Sequence, residues 1–203
     1  MHCTITESFS AQILFSFHTI FMRISGGNLK GRKVPDKKLH LRPTTNRAKQ
    51  GLFNILRHKL DWAECTALDL FSGTGSIAYE LASNACKQVT AVDISSSNCN
   101  FIRTNAKQFN ISNLIIIRSD ALSFLRSHSE PYNIIVADPP YDYPHYNVIP
   151  QLVFERNLLK ENGWLIIEHS RRTGFADEPH FVEQRTYGEV NFSFFENKLT
   201  EIQ

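Results

Sequence analysis

From residue 67 to residue 169 the sequence alternates short apolar runs with stretches of helical period, and that alternation leaves few folds open. The strand candidates are Ala67 to Phe71, Val89 to Asp93, Leu114 to Arg118, Ile134 to Asp138 and Trp164 to His169. Helical patterns fall between them, near Ile77 to Ser83, Ser97 to Phe109, Ala121 to Ser127 and Tyr146 to Leu159. Apolar strands separated by helices predict a parallel sheet covered on both faces. Two later runs, Phe181 to Thr186 and Val190 to Glu196, flank the turn Tyr187-Gly188-Glu189 and predict a hairpin that adds antiparallel strands at one edge. The expected fold is therefore α/β and Rossmann-like, with a central, mostly parallel, seven-stranded sheet. At 203 residues and 42% hydrophobic, the chain suits one globular domain with a small extension.

Open sheets of this kind bind ligands beyond the carboxyl ends of their strands, so strand-end residues carry the functional reading. Leu68-Asp69-Leu70-Phe71-Ser72-Gly73-Thr74-Gly75-Ser76-Ile77-Ala78 reads as a strand, a glycine turn and a helix start. Glycines let the backbone approach a ligand closely, and the first N–H groups of the helix can receive an anion. Gly73-x-Gly75-x-x-Ala78 satisfies the dinucleotide fingerprint, with Asp93 eighteen residues beyond Gly75, so a nicotinamide enzyme fits by spacing. The acids weigh the other way. Asp69 precedes the turn and Asp120 follows the third strand, and a pyrophosphate gains little from an acid in its own loop.

S-adenosylmethionine carries both a cationic amino-acid group and an adenine amine, and each gains from a carboxylate. On that reading Asp69 helps hold the ammonium, while Phe71, Ser72, Gly73, Thr74 and Gly75 line the methionine and ribose. Asp93, beside Ile94, takes the ribose hydroxyls; Asp120, beside Ala121, takes the adenine amine. The alternative role for Asp93 and Asp120 is to cap the helices that follow them.

The fourth strand candidate ends in Asp138-Pro139-Pro140-Tyr141. Two prolines have fixed φ and no N–H, so the carboxylate and the proline carbonyls face few competing donors and suit an exocyclic amine. Hydrogen bonds from that amine to Asp138 and the Pro139 carbonyl would favour a more nucleophilic nitrogen, with Tyr141 stacked on the base. Asp138 would also border the cofactor. The competing reading is a Pro-rich turn. His145 or Tyr146 is a further candidate for the base pocket, and His169 for packing or surface.

Residues 22 to 60 hold eleven of the 22 Lys and Arg and one acid, Asp36, a net +10 against −8 for the remainder. A basic arm on an acidic body is a signature of nucleic-acid contact. Its Arg23 to Val34 segment, punctuated by glycines, predicts a small hairpin. A helix then follows, with Ala48, Leu52, Ile55, Leu56 and Lys59 or Leu60 on one face and Thr44 or Thr45 as N-cap. Lys30, Arg32, Lys33, Arg42 and Arg47 are the candidate phosphate contacts. The apolar stretch Ile13 to Phe21 is too short to span a bilayer as a helix, and residues 1 to 21 have no Lys or Arg ahead of it and no cleavage site after it; Met22 is the expected start. Cys3, Cys65, Cys86 and Cys99 form no C-x-x-C pair, which fits a reducing cytoplasm and inert thiols, and no metal site is expected. The expected division is an extension over 1 to 21, a basic arm and helix over 22 to 60, and the sheet domain over 61 to 203.

In this order, the glycine loop, Asp93, Asp120 and Asp138-Pro139-Pro140-Tyr141 resemble the class I methyltransferases that modify exocyclic amines. Upstream, Arg23-Ile24-Ser25-Gly26-Gly27, Arg32-Lys33-Val34 and Arg42-Pro43-Thr44-Thr45-Asn46-Arg47-Ala48-Lys49, with Arg185-Thr186-Tyr187-Gly188 late in the chain, resemble the RsmD family. The likeness runs from Met22 to about Glu196. It implies methylation of a guanine N2 amine in bacterial small-subunit ribosomal RNA, with S-adenosylmethionine as donor and no metal. The implied substrate is the free RNA or the 30S subunit, and the implied state a cytoplasmic monomer. Two departures stand out: Asn46 where the family usually has Asp, and Asn84-Ala85-Cys86 where it commonly has an Arg-Gly-Ala turn. Three alternatives stay open at this point: an adenine N6 methyltransferase, a nicotinamide oxidoreductase and a non-catalytic RNA-binding assembly factor.

Overall fold

A computed structural model describes residues 20–36 and 46–198. A two-stranded antiparallel hairpin, β1 (Ile20–Arg23) and β2 (Lys33–Asp36), closes through a 3-10 turn at Gly27–Leu29. Helix α1 (Asn46–Leu56) leads into the main domain. There β3 (Thr66–Leu70), α2 (Ser76–Ser83), β4 (Gln88–Asp93), α3 (Ser96–Gln108), β5 (Leu114–Arg118), α4 (Ala121–Ser127), β6 (Tyr132–Ala137), α5 (Val148–Glu155) and β7 (Leu159–His169) alternate. The hairpin β8 (Phe181–Tyr187) and β9 (Val190–Glu196) follows. Seven strands pair in the order β5-β4-β3-β6-β7-β9-β8; the first five are parallel, and β9 and β8 join antiparallel at the edge.

The strand interiors are apolar because both faces are covered. Ala67, Ile134, Val136 and Ile166 pack under α1, α2 and α3, through side chains such as Ala48, Leu52, Leu56, Ala78 and Leu81. Leu68, Leu70, Val92, Ile135 and Ile167 pack on the opposite face under Leu122, Leu125, Ile149 and Val153 of α4 and α5. The stripe expected on α1 is present in Ala48, Leu52 and Leu56, with Phe53 also buried and Ile55 only partly so. Its expected cap at Thr44 or Thr45 and the phosphate contact Arg42 lie outside the described residues, as do Cys3 and residues 1–19. Cys65, Cys86 and Cys99 are buried free thiols.

Several boundaries differ from the sequence reading. Helix α1 ends at Leu56, before Lys59 and Leu60. The helix after the acceptor motif begins at Val148 instead of Tyr146 and ends at Glu155, since residues 138–147 are spent on turns. Strand β7 begins five residues early, at Leu159, and passes through Asn162 at φ 55° beside Gly163.

The hairpin docks on the far end of α2. Gly27 has φ 68°, and a Cβ there would lie 1.8 Å from the Ser83 carbonyl oxygen, so only glycine lets the arm approach so closely. The Ser83 hydroxyl donates to the Gly26 carbonyl at 2.6 Å and accepts the Leu29 N–H at 2.9 Å.

Candidate active site

Strand β3 delivers the glycine loop in a constrained form. Phe71, Gly73 and Gly75 have φ of 62°, 54° and 85°, three left-handed residues within five. Phe71 is the costly one, since a bulky side chain with positive φ is an outlier that persists only where its surroundings fix it. The fixing contacts run to two strands. The Ser72 N–H donates to the Val92 carbonyl at 3.0 Å, the Ser72 hydroxyl donates to the Asp69 carbonyl at 2.8 Å, and the Phe71 ring meets Tyr143 edge-on at 5.0 Å. At Gly75 a Cβ would come within 2.9 Å of the buried Tyr79 ring, so the helix start sits closer to its neighbours than any other residue would allow.

Asp93 ties this loop to the next helix. Its Oδ2 accepts the Gly73 N–H at 2.7 Å; its Oδ1 accepts the Ser95 N–H at 2.8 Å and the Asn98 amide at 3.1 Å. Ser95 itself caps α3. Asp120 is the N-cap of α4, with Oδ1 accepting the Ser123 N–H at 2.9 Å. Both acids also line the same cavity: Asp120 caps its helix while facing it, whereas Asp93 holds the loop and leaves the α3 cap to Ser95.

The acceptor motif enters from β6. The Asp138 N–H reaches the Leu70 carbonyl at 3.3 Å, which extends the β3–β6 ladder one residue and sets Asp138 beside the glycine loop. The proline carbonyls are less open than the sequence suggests. Pro140 O accepts the Tyr143 N–H at 2.8 Å and the Tyr146 hydroxyl at 3.1 Å, so the chain folds back on it. Pro139 O has the Tyr146 hydroxyl at 3.4 Å, a longer contact from a donor with one hydrogen. Pro139 is therefore the carbonyl that keeps acceptor capacity. Burial, with the Asp138 charge adding to it, pushes the Tyr146 hydroxyl up and keeps it a donor. Tyr146 supports the motif from beneath. His145 does not line the cavity; it packs edge-on against Tyr143. His169 is fully buried between the Ser170 carbonyl and the Ser193 hydroxyl, and burial lowers its pKa, which leaves it a neutral packing group.

These elements open into one cavity of about 580 Å³, within the usual range for a small-molecule site. Of the residues singled out from sequence, Phe71, Gly73, Asp93, Ile94, Asp120 and Ala121 line it together with Asp138, Pro139, Pro140 and Tyr141. Ser72, Thr74 and Gly75 shape the loop but do not line the cavity. Asp69 does not line it either. It is 1% exposed, and its Oδ2 accepts the Ala78 N–H at 3.0 Å in the first turn of α2, while Oδ1 has no hydrogen-bond partner. Burial, and then the charge of Asp138, pushes its carboxyl up to about 8.

One lining residue was not visible in the sequence reading. Glu168, 2% exposed, lies at the end of β7 and accepts the Tyr141 hydroxyl at 3.4 Å. Its signal was a single acid after the apolar run Trp164-Leu165-Ile166-Ile167. The register explains why it joins the others. Side chains alternate along a strand, and Ala91, Ala67, Val136 and Ile166 share one face of the sheet. Two residues further on, Asp93, Asp69, Asp138 and Glu168 continue that face on the four neighbouring strands β4, β3, β6 and β7. Five acids, Asp93, Asp120, Asp138, Asp142 and Glu168, line the cavity; among the described lining residues there is no Lys, Arg or His.

The basic candidates are spread out. Lys30 and Arg32 are at the hairpin turn by Ser83, at the opposite end of α2 from the cavity and about 10 Å along the helix axis. Arg32 lies over the Phe109 ring, and Lys33 over Phe21. Arg47, exposed in the first turn of α1, is nearer the site, since Lys49 one half-turn on reaches the Ser76 hydroxyl at 3.3 Å.

A protein family described as Conserved hypothetical protein 95 matches residues 22–196. The chain belongs to that family. Among curated proteins it is 34% identical to the ribosomal RNA small subunit methyltransferase D of Buchnera aphidicola, over 73% of this chain and 78% of that protein. The same-named proteins of Escherichia coli K12 and Haemophilus influenzae are 34% and 30% identical, over 72% and 87% of this chain and 71% and 94% of theirs. Among solved structures, yhhF of Escherichia coli, which carries a provisional description as a methyltransferase, superposes with a TM-score of 0.77 at 25% identity. That match covers 88% of this chain and 98% of the other. The family's fold is thus the class I methyltransferase arrangement seen here, with the basic hairpin and α1 added at its N-terminal end.

Proposed function

We propose that this protein transfers a methyl group from S-adenosylmethionine to the N2 amine of a guanine in bacterial small-subunit ribosomal RNA, in the cytoplasm and as a monomer. One observation carries the reading: the amine-accepting motif and the glycine loop open into one cavity whose ionisable lining is acidic throughout. A dinucleotide pyrophosphate would meet only like charge there, whereas a sulfonium and an ammonium meet opposite charge. The relatives named ribosomal RNA small subunit methyltransferase D support the substrate class.

The residues fit the cofactor. Asp69 lies behind the glycine loop, off the cavity wall, and contributes by fixing the start of α2 through the Ala78 N–H. Asp93 and Asp120 keep acceptor capacity beyond their bonds within the protein, and Ile94, 67% exposed, offers an apolar surface to an adenine ring. When bound, S-adenosylmethionine supplies a sulfonium-activated methyl group.

The protein's own part is positioning. Asp138 and the Pro139 carbonyl accept the N–H groups of the base amine and hold its nitrogen in line with the methyl. Tyr141, 38% exposed at the rim, offers its ring to the base. With the methyl donor bound, transfer would join the amine nitrogen to the methyl carbon as the thioether is released with the bonding pair, and the surplus amine proton would pass to solvent or to Asp138. Orientation is the main lever, because a well-held bimolecular step gains several kcal/mol from proximity alone. The target base must be unstacked to reach the cavity. Incubation with labelled S-adenosylmethionine and ribosomal RNA, free or in small subunits from a deletion strain, followed by nucleoside analysis, tests this. N2-methylguanosine is expected, and labelled N6-methyladenosine would overturn the choice of base.

A further inference from the structure

We propose that Glu168 is the residue by which this site tells guanine from adenine, an inference that rests on the guanine-N2 reading above. Glu168 and Asp138 stand on adjacent parallel strands, one step beyond the pair Ile167 and Ala137, on the same face of the sheet. Neighbouring strands lie about 4.8 Å apart, so the two carboxyl groups flank one another at the cavity wall. The Tyr141 hydroxyl links them through the motif, donating to Glu168 Oε1 at 3.4 Å. A carboxylate can accept up to about four hydrogen bonds, so this contact is compatible with a donor from the ligand.

The two bases differ at the ring nitrogen beside the exocyclic amine. Guanine presents N1–H next to N2–H, two adjacent donors. Adenine presents the bare N1 lone pair next to N6–H. With the amine on Asp138, that ring nitrogen faces Glu168. Guanine then gives a donor to each of two neighbouring carboxylates. Adenine sets a lone pair against a carboxylate that is 2% exposed, where an unmatched acceptor is costly. A site built around a substrate N–H rejects the analogue lacking it far more strongly than an apolar pocket rejects a missing methylene. The amine motif alone serves either base; Glu168 beside it selects.

The test pairs one side chain of the protein with one edge of the substrate base. A synthetic RNA segment spanning the methylated nucleotide is annealed into the ribosomal RNA, with either guanine or 2,6-diaminopurine at the target. Diaminopurine keeps the N2 amine, replaces N1–H with a lone pair and exchanges O6 for an amine on the far side of N1. Full-length wild-type protein should favour guanine in kcat/KM by on the order of 10²-fold. In Glu168→Gln the side-chain amide can turn its oxygen to N1–H or its NH2 to the lone pair, so the preference should shrink to within about threefold while S-adenosylmethionine affinity is kept. A merely structural role for Glu168 would slow both substrates equally and leave the ratio unchanged, which would overturn the proposal. Should the variant fail to fold, the wild type decides alone, since equal use of diaminopurine and guanine also overturns it. Either result with N2-methylguanosine as the natural product removes only the role of Glu168. Label in N6-methyladenosine removes the guanine reading itself.

Discussion

Lys49 Nζ lies 2.9 Å from Glu80 Oε1, with the two side chains 3% and 0% exposed. This ion pair joins the N-terminal arm to the helix that follows the glycine loop. Glu80 also accepts the Ser25 N–H at 2.8 Å, the Ser25 hydroxyl at 3.0 Å and the Gly26 N–H at 3.2 Å, while Lys49 donates to the Arg23 carbonyl at 3.2 Å. One lysine of the basic arm is therefore a fastening, not a phosphate contact. Glu80→Ala would strand a buried cation and three donors, and the expected loss of stability is about 3–5 kcal/mol, read as a lower denaturant midpoint. Amide exchange at Ser25 and Gly26 should quicken in the same variant. A change below about 1 kcal/mol would show that the pair does not hold the arm.

Ala85 occupies a glycine's conformation. Helix α2 ends with Ala85 at φ 67°, the Ala85 N–H on the Ala82 carbonyl at 3.1 Å and the Cys86 N–H on the Leu81 carbonyl at 3.3 Å, which is a Schellman motif. The RsmD pattern places Gly at this point of the turn. Because Ala85 is exposed, Ala85→Gly relieves the left-handed strain without opening a cavity. The variant should gain about 1 kcal/mol and melt about 2–4 °C higher in a calorimetric scan.

Asp69 makes folding stability depend on pH. Its folded carboxyl titrates at about 8, raised first by burial and then by the Asp138 charge, against about 4 in an unfolded chain. Between those values the folded protein holds a proton that the unfolded chain has released. Stability from this group is therefore fully present below about pH 4 and falls as pH rises towards about 8, by at most about 1.4 kcal/mol per unit. Urea midpoints measured across that window should decline in the wild type and flatten in Asp69→Asn. Parallel slopes would mean that Asp69 is ionised in the folded protein.

Phosphate contacts by the arm predict a steep salt dependence. If about five form, log affinity for ribosomal RNA should fall against log salt with a slope of roughly −3.5, and Arg47→Ala should reduce its magnitude by about 0.7. Filter binding over a salt series reads both. A flat curve would remove the arm from RNA recognition.

Much of this arrangement was legible in the residues. The strands that end in Asp93 and Asp138 were found because buried parallel strands are nearly all apolar and then stop at a polar residue, and Phe71 to Gly75 because a strand, two glycines and a helix start have few other uses. What could not be read depended on tertiary neighbours. Asp69 and Asp93 look alike in sequence, yet only packing under α2 takes Asp69 out of the cavity wall. Lys49 is one basic residue among eleven until α1 meets α2. Glu168 was hidden because a lone acid at a strand end gains meaning only when the strand order β3-β6-β7 places it beside Asp138. The Pro140 carbonyl was misjudged because Tyr146, six residues on, turns back to it.

The central claim is that Asp138 orients the accepting amine rather than building the cofactor site. Single-turnover methyl transfer by Asp138→Ala, measured beside its affinity for S-adenosylmethionine, tests this most directly. The account predicts transfer to ribosomal RNA reduced by at least about 10²-fold, with cofactor affinity within about threefold of wild type. Transfer at the wild-type rate, or loss of cofactor binding in proportion to loss of activity, would contradict it.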